Sequence, residues 1–246
     1  RGSGTVLSFA GSLSASNQLQ FPINPVCSQI FGPTGLSVLS DVRVTVNGGA
    51  NSNALSTPFL LYRTLLTSIA PLSGPTTGGT LVNITGSFYN TSFVSVSFGA
   101  LAAASKHYIS TSRLQAVSPA GSAAGATSLS LTLDPSTPQQ VLSKPFTFYL
   151  PPTVTALNPW LGPLSGGTVV TIVGANIVNT LTNEAKCSFG GVVVPGAWNG
   201  NTLTCVSPAL SAGSVALEIA LNGVQYTSSG VRFRAYVEPT PQAPAP

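Results

Sequence analysis

The sequence predicts an all-β chain assembled as a tandem array of small antiparallel sandwiches. Three observations predict this. A block of motifs recurs at a fixed spacing. Short apolar–polar alternations of period two run through each block. Gly, Pro, Ser and Asn turns separate them, and no helical periodicity of useful length intervenes. Period-two alternation is what a strand shows when it buries one face and wets the other.

The repeat orders the elements. Ile69-Ala70-Pro71, Ser73-Gly74 and Gly78-Gly79-Thr80 are answered by Leu157-Asn158-Pro159 and Leu164-Ser165-Gly166-Gly167-Thr168. Each block runs into a strand, Leu81–Gly86 or Val169–Gly174, and the offset stays at 88 residues from Gly78/Gly166 to Gly86/Gly174. Downstream, Val96-Ser97-Phe98-Gly99 answers Cys187-Ser188-Phe189-Gly190, and Ala116-Val117-Ser118-Pro119 answers Cys205-Val206-Ser207-Pro208. Leu129–Leu133 answers Leu217–Leu221, and Phe146-Thr147-Phe148-Tyr149 closes one copy as Val231-Arg232-Phe233 closes the other. The offset drifts by a few residues, as changes in loop length produce.

A third copy is partial. Val42–Gly48 matches Glu218–Gly223, Pro58–Tyr62 matches Pro145–Tyr149, and Val6–Phe9 matches the Val-Ser-Phe-Gly strand. Nothing before Val6 supplies the Gly-Gly-Thr opening. The expected organisation is a partial module over 1–65, modules over 66–150 and 151–237 with joints at Leu65–Ser68 and Leu150-Pro151-Pro152, and a Pro-rich tail over 238–246. The incomplete first module implies that its missing strands lie upstream in a longer array, or come from a neighbouring molecule by strand addition. The tail, with its alternating Pro, is expected to be an extended, stiff spacer.

Taken together, these motifs resemble the IPT/TIG family, the E-set immunoglobulin-like modules shared by plexins, related receptors and some transcription factors. The third module carries nearly the whole pattern: Pro159, Gly166, Gly167, Thr168, Gly174, Cys187, Phe189, Gly190, Cys205, Ser207, Pro208, Asn222, Gly223 and Phe233. The second lacks both cysteines and has Asp134-Pro135 in place of Asn-Gly; the first matches only in its later half. The resemblance implies sandwiches of about seven strands used for protein contact or spacing.

Cys187 and Cys205, on adjacent strand candidates of one module, are expected to form a disulfide. Their counterparts Val96 and Ala116 lose the thiol together, as paired residues do. Two buried thiols are the alternative; a zinc site would need further Cys or His ligands nearby. Cys27 is left over, either buried or bridged to a partner outside the chain. Asn83-Ile84-Thr85 and Asn90-Thr91-Ser92 are N-glycosylation acceptors.

Catalytic and nucleic-acid readings find no support. His107 is the sole histidine, and the acids Asp41, Asp134, Glu184, Glu218 and Glu238 stand singly, which suits neither a triad, a carboxylate pair nor a calcium cage. The Gly-Gly-Thr segments lack the Lys and the helix of a phosphate loop. The nine basic residues are scattered, so a net charge of +4 marks scarce acids and no DNA-binding face. Trp160 and Trp198 are read as packing residues, with a sugar platform as the alternative. Only 6% of residues are charged, against roughly a quarter in an ordinary soluble domain, so the surface is built from Ser, Thr, Asn, Gln and Gly or is covered by glycans or neighbours.

The expected function is therefore a non-catalytic structural or adhesive segment at the cell surface or in a filament. Its partners would be surface or matrix proteins, further copies of itself, or glycans, with no cofactor, no nucleic acid and no membrane span in this segment. The alternative is an accessory carbohydrate-binding or spacer segment of a secreted carbohydrate-active enzyme. A catalytic domain in the parent sequence would favour the second; further repeats and an anchor would favour the first.

Overall fold

The computed structural model describes residues 65–88, 94–132 and 141–238, together with the backbone of six short strands before residue 65. The chain divides into two compact units, Arg1–Thr64 and Leu65–Pro246. In the first unit β1 (Ser12–Leu13) pairs with β2 (Leu19–Gln20). β3 (Ser37–Ser40) pairs with β6 (Phe59–Tyr62), and β4 (Arg43–Val46) with β5 (Asn51–Ala54), all antiparallel. β4 and β6 fall where the partial repeat placed strands. Val6–Phe9 and Cys27 lie outside the described residues.

The second unit holds two sandwiches in sequence. The first contains β7 (Leu65–Ala70), β8 (Ser73–Pro75), β9 (Leu81–Ser87), β10 (Ser95–Phe98), β11 (Leu101–Ala102), β12 (Ser105–Ser110), β13 (Arg113–Val117), β14 (Gly125–Thr132) and β15 (Val141–Tyr149). One sheet runs β12-β13-β9-β7 and the other β11-β10-β14-β15-β8. The second sandwich contains β16 (Thr153–Asn158), β17 (Leu161–Pro163), β18 (Val169–Ala175), β19 (Lys186–Phe189), β20 (Val192–Asn199), β21 (Thr202–Val206), β22 (Gly213–Ala220) and β23 (Arg232–Tyr236). Every described element is a strand.

Each sandwich has more strands than the expected seven, for two physical reasons. The opening strand splits at a proline. Pro71 and Pro159, each after a cis peptide bond, have no N–H to continue the ladder. The chain therefore leaves the sheet it shares with β9 or β18 and re-pairs in the opposite sheet, β8 parallel to β15 and β17 parallel to β23. The middle of the chain also changes sheets. In the second sandwich one long strand does so: β20 pairs through Val192–Pro195 with β19 and through Gly196–Asn199 with β21. In the first, the same path is broken into β11 and β12. A further difference is that Leu65–Ser68, expected as a joint, is the first part of β7 and pairs with β9.

The two cores repeat residue for residue. Val82, Ile84, Phe98, Leu114, Leu129, Leu131 and Phe146 fill the first, and Val170, Ile172, Phe189, Leu203, Leu217, Ile219 and Phe233 fill the second. The aromatic pair at the centre is edge-to-face in both, with ring centroids 5.0 Å apart for Phe98–Phe146 and 5.3 Å for Phe189–Phe233. That is the arrangement aromatic quadrupoles favour. The glycine ending each strand is required by close backbone approach. A Cβ at Gly86 would collide with the Leu65 carbonyl oxygen, and one at Gly174 with that of Thr153, beside the bulges in β7 and β16.

The Gly-Gly pair before the second strand gives a clean test of backbone against sterics. Gly166 and Gly167 have φ of 81° and 82°. A Cβ at Gly166 would sit 2.6 Å from the Pro208 carbonyl carbon, whereas one at Gly167 would meet nothing within 4 Å. Gly167→Ala should cost about 1–2 kcal/mol for the left-handed backbone alone. Gly166→Ala should cost roughly 1–3 kcal/mol more, because the turn must move. Chemical unfolding followed through Trp198 measures both; equal costs would contradict this account.

Candidate functional site

Cys187 on β19 and Cys205 on β21 are both buried and are joined by a disulfide, with Cα atoms 6.3 Å apart. The two strands are not neighbours, contrary to the adjacency expected from sequence: β20 lies between them in the ladder, and the bridge crosses the interior. In the first sandwich Val96 and Ala116 fill the same two core positions with apolar volume. The bridge closes a sequence separation of 18 residues. Importing the first sandwich's solution, Cys187→Val with Cys205→Ala, should cost about 3 kcal/mol. The loss should be visible in the denaturant midpoint of the second sandwich and absent when the parent is measured in reductant.

The other sequence candidates separate. Asn83 is exposed on β9, with its side-chain oxygen accepting from Gln115 Nε2 at 2.9 Å; Asn90 lies outside the described residues. His107 is exposed on β12 opposite Gln115. Trp198 packs half-buried on the second core, while Trp160 is 52% exposed at one end of the second sandwich. Among the described residues, no three His, Cys, Asp or Glu gather as metal ligands, and no helix is long and apolar enough to cross a membrane.

What sequence reading missed is a polar joint between the two sandwiches. Tyr149 ends β15 in the first sandwich, yet it is only 2% exposed and packs in the core cluster of the second. Its carbonyl accepts from Thr76 N at 2.8 Å, and the Asn222 backbone hydrogen-bonds its phenol. Burial, and then the Glu184 charge, push that phenol well above the ordinary tyrosine range. From the second sandwich Glu184 reaches across. Its Oε1 and Oε2 accept from Leu72 N at 2.8 and 3.0 Å, and Ser73 Oγ donates to Oε2 at 3.4 Å. Thr80, fully buried, donates its hydroxyl to Gln225 Oε1 at 2.6 Å. Gln225 is oriented by Asn222 Nδ2 at 2.8 Å, and its own Nε2 points to Gly78 O at 3.4 Å. Asn222 is the Asn of the repeat's Asn-Gly and Gln225 lies two residues beyond its Gly223, and that motif is the one available signal.

The Glu184 carboxyl is raised above its ordinary range by burial. Hydrogen bonds from Leu72 N, Thr182 and Ser73 and the Lys186 charge oppose the shift. Between the ordinary carboxylate value and the raised one, the folded state holds a proton that the unfolded chain has released, so stability falls as pH rises through that window. Glu184→Gln keeps an acceptor oxygen but cannot titrate. Thermal unfolding at stepped pH should show a flatter profile there for the variant than for the parent.

The IPT/TIG domain model matches residues 65–149 and 152–235, well over half of the chain. The chain belongs to the IPT/TIG family. The modules of this family are immunoglobulin-like and non-catalytic. Solved structures similar to the chain include the plexin A4 extracellular region, at 21% identity over 86% of this chain and 19% of that one, TM-score 0.46. SGBP-B from a complex xyloglucan utilization locus in Bacteroides uniformis matches at 18% identity over 65% of this chain and 47% of that one, TM-score 0.28. The Yersinia pseudotuberculosis adhesin InvE matches at 16% over 69% and 58%, TM-score 0.27. The chain spans about a fifth of the plexin A4 structures it resembles.

Proposed function

We propose that this chain is a non-catalytic extracellular segment in which IPT/TIG modules serve as a stiff spacer and present contact surfaces to other proteins, at the cell surface or in a filament. The observation that carries the reading is the joint. Two modules separated only by Leu150-Pro151-Pro152 are clamped through Glu184, Gln225 and Tyr149, so the pair holds one orientation, as a spacer must. The disulfide fits an oxidising compartment. The surface, short of charge, fits a molecule covered by glycans, Asn83 and Asn90 being the acceptors, or by neighbours. Boundaries at 1–65, 66–150 and 151–237 with a spacer tail over 238–246 belong to the same proposal.

The test uses the whole chain. Small-angle scattering should give a single fixed inter-module geometry for the parent and a broadened one for Glu184→Ala with Gln225→Ala. A purified surface protein that binds the parent saturably and the double variant more weakly supports the spacer reading. Saturable binding to a glycan array that ignores the double variant would move the chain to the accessory carbohydrate-binding reading.

A further inference from the structure

The first sandwich's end that receives the second is built again, bond for bond, at the far end of the second. Gly79 N→Ser118 O (3.0 Å) is matched by Gly167 N→Ser207 O (2.8 Å), and Ser118 N→Thr80 O (2.9 Å) by Ser207 N→Thr168 O (2.8 Å). Thr76 N→Tyr149 O (2.8 Å) is matched by Leu164 N→Tyr236 O (2.9 Å), and Thr147 N→Leu72 O (3.0 Å) by Arg234 N→Trp160 O (2.9 Å). Thr80 N→Ser118 Oγ (3.0 Å) is matched by Thr168 N→Ser207 Oγ (3.1 Å). Burial is what differs, and it differs in one direction. Pro71, Ser73, Gly78, Thr80 and Tyr149 are buried, whereas Pro159 is exposed and Leu161, Gly166, Thr168 and Tyr236 are half-buried. Half-buried Leu72 is replaced by Trp160, 52% exposed, and Val237, which follows Tyr236, is 70% exposed. The cover on the first end is the second sandwich itself.

We infer that the Trp160–Tyr236 end of the second sandwich is a docking surface for a further module of this same type, seated as the second sandwich is seated on the first. Thr168 would offer its hydroxyl to the newcomer's Gln225-like amide, and Trp160 N would face its Glu184-like carboxylate. Leu161 replaces Ser73, so the carboxylate loses a hydroxyl donor. Trp160 in place of Leu72 enlarges the apolar contact in exchange. A large ring at the centre of a patch, rimmed by polar groups, is the usual anchor of a protein contact.

This inference rests on the spacer reading, and the experiment separates the two. The full chain with Cys27→Ser is extended directly after Tyr236 by a second copy of residues 150–238. Thr168→Cys is paired with Gln225→Cys in the appended copy. The control is the unextended chain with Thr80→Cys and Gln225→Cys, which reads the native joint. The expected result is oxidative cross-linking in the extended protein at a rate comparable with the control, slowed roughly tenfold or more by Trp160→Asp, since tethered but undocked modules meet only by chance. A failed control sinks the spacer reading. A sound control with slow cross-linking in the extended protein, or with cross-linking indifferent to Trp160→Asp, overturns this inference alone. So does an appended copy that fails to form its own Cys187–Cys205 bridge on that end. Saturable quenching of Trp160 by a soluble β-glucan oligosaccharide in the unextended chain would assign the face to sugar and overturn the inference as well.

Discussion

Both sandwiches depend on one clasp, the Gly-Gly-Thr turn held against the Ser-Pro segment. The serine N–H donates to the threonine carbonyl, the serine hydroxyl accepts from the threonine N–H, and the second glycine N–H donates to the serine carbonyl. Three hydrogen bonds satisfy six polar groups at once, which is what a turn packed against the sandwich requires. The geometry leaves no room for a side chain on Gly78 or Gly166. It also presses the threonine Cβ and hydroxyl over Gly74 or Gly162, where an added Cβ would strike the threonine oxygen. Much of the repeated pattern, Gly-Gly-Thr in one place and Ser-Pro some forty residues on, is thus one contact seen twice in sequence.

The clasp then dictates the joint. Because it pins Thr80, the threonine hydroxyl meets Gln225; nearby, Thr76 N holds the Tyr149 carbonyl, and the Tyr149 ring packs in the neighbouring core. The contacts across the joint are mostly hydrogen bonds between buried or half-buried groups. Such networks add less net stability than their number suggests, but each unmade bond is costly, so they select one orientation sharply. Desolvation of Glu184 works the same way: it opposes burial of the charge, and only the pose that supplies Leu72 N and Ser73 Oγ compensates. Specific orientation is the property a spacer needs.

Sequence reading found the sandwiches because core alternation and turn glycines are local signals. Val82/Ile84 against Val170/Ile172, and Phe98 against Phe189, were visible as period-two pairs before any fold was known. The Cys187–Cys205 pairing was visible because both thiols vanish together in the other copy. Three things were hidden. The split opening strand is hidden because Pro71 and Pro159 read as leading through a Ser-Gly turn, although a proline that only interrupts a ladder lets the chain re-pair on the opposite sheet. The position of β20 between the two cysteine strands is a matter of topology, which alternation does not encode. The joint was hidden because Glu184, Gln225 and Tyr149 are distant in sequence and ordinary in type; only the fold gives them a common address.

The scarcity of charge has a structural side that composition alone conceals. Of the five acids, Glu184 serves the joint, and Glu218 accepts from Thr227 Oγ1, Ser229 N and Gly230 N, holding the loop between β22 and β23. These carboxylates act as fixed acceptors for backbone N–H groups, not as surface charge. The outer face of the β16-β18-β21-β20 sheet is correspondingly neutral, with Val169 and Val206 side by side across β18 and β21 and Thr171 beside Thr204. Long-range Coulomb steering and its salt sensitivity need surface charge. A surface of this kind recognises its neighbours by shape and short-range hydrogen bonds instead, and its contacts must be defined by rigid placement of the modules. The joint therefore supplies by geometry what the surface does not supply by charge.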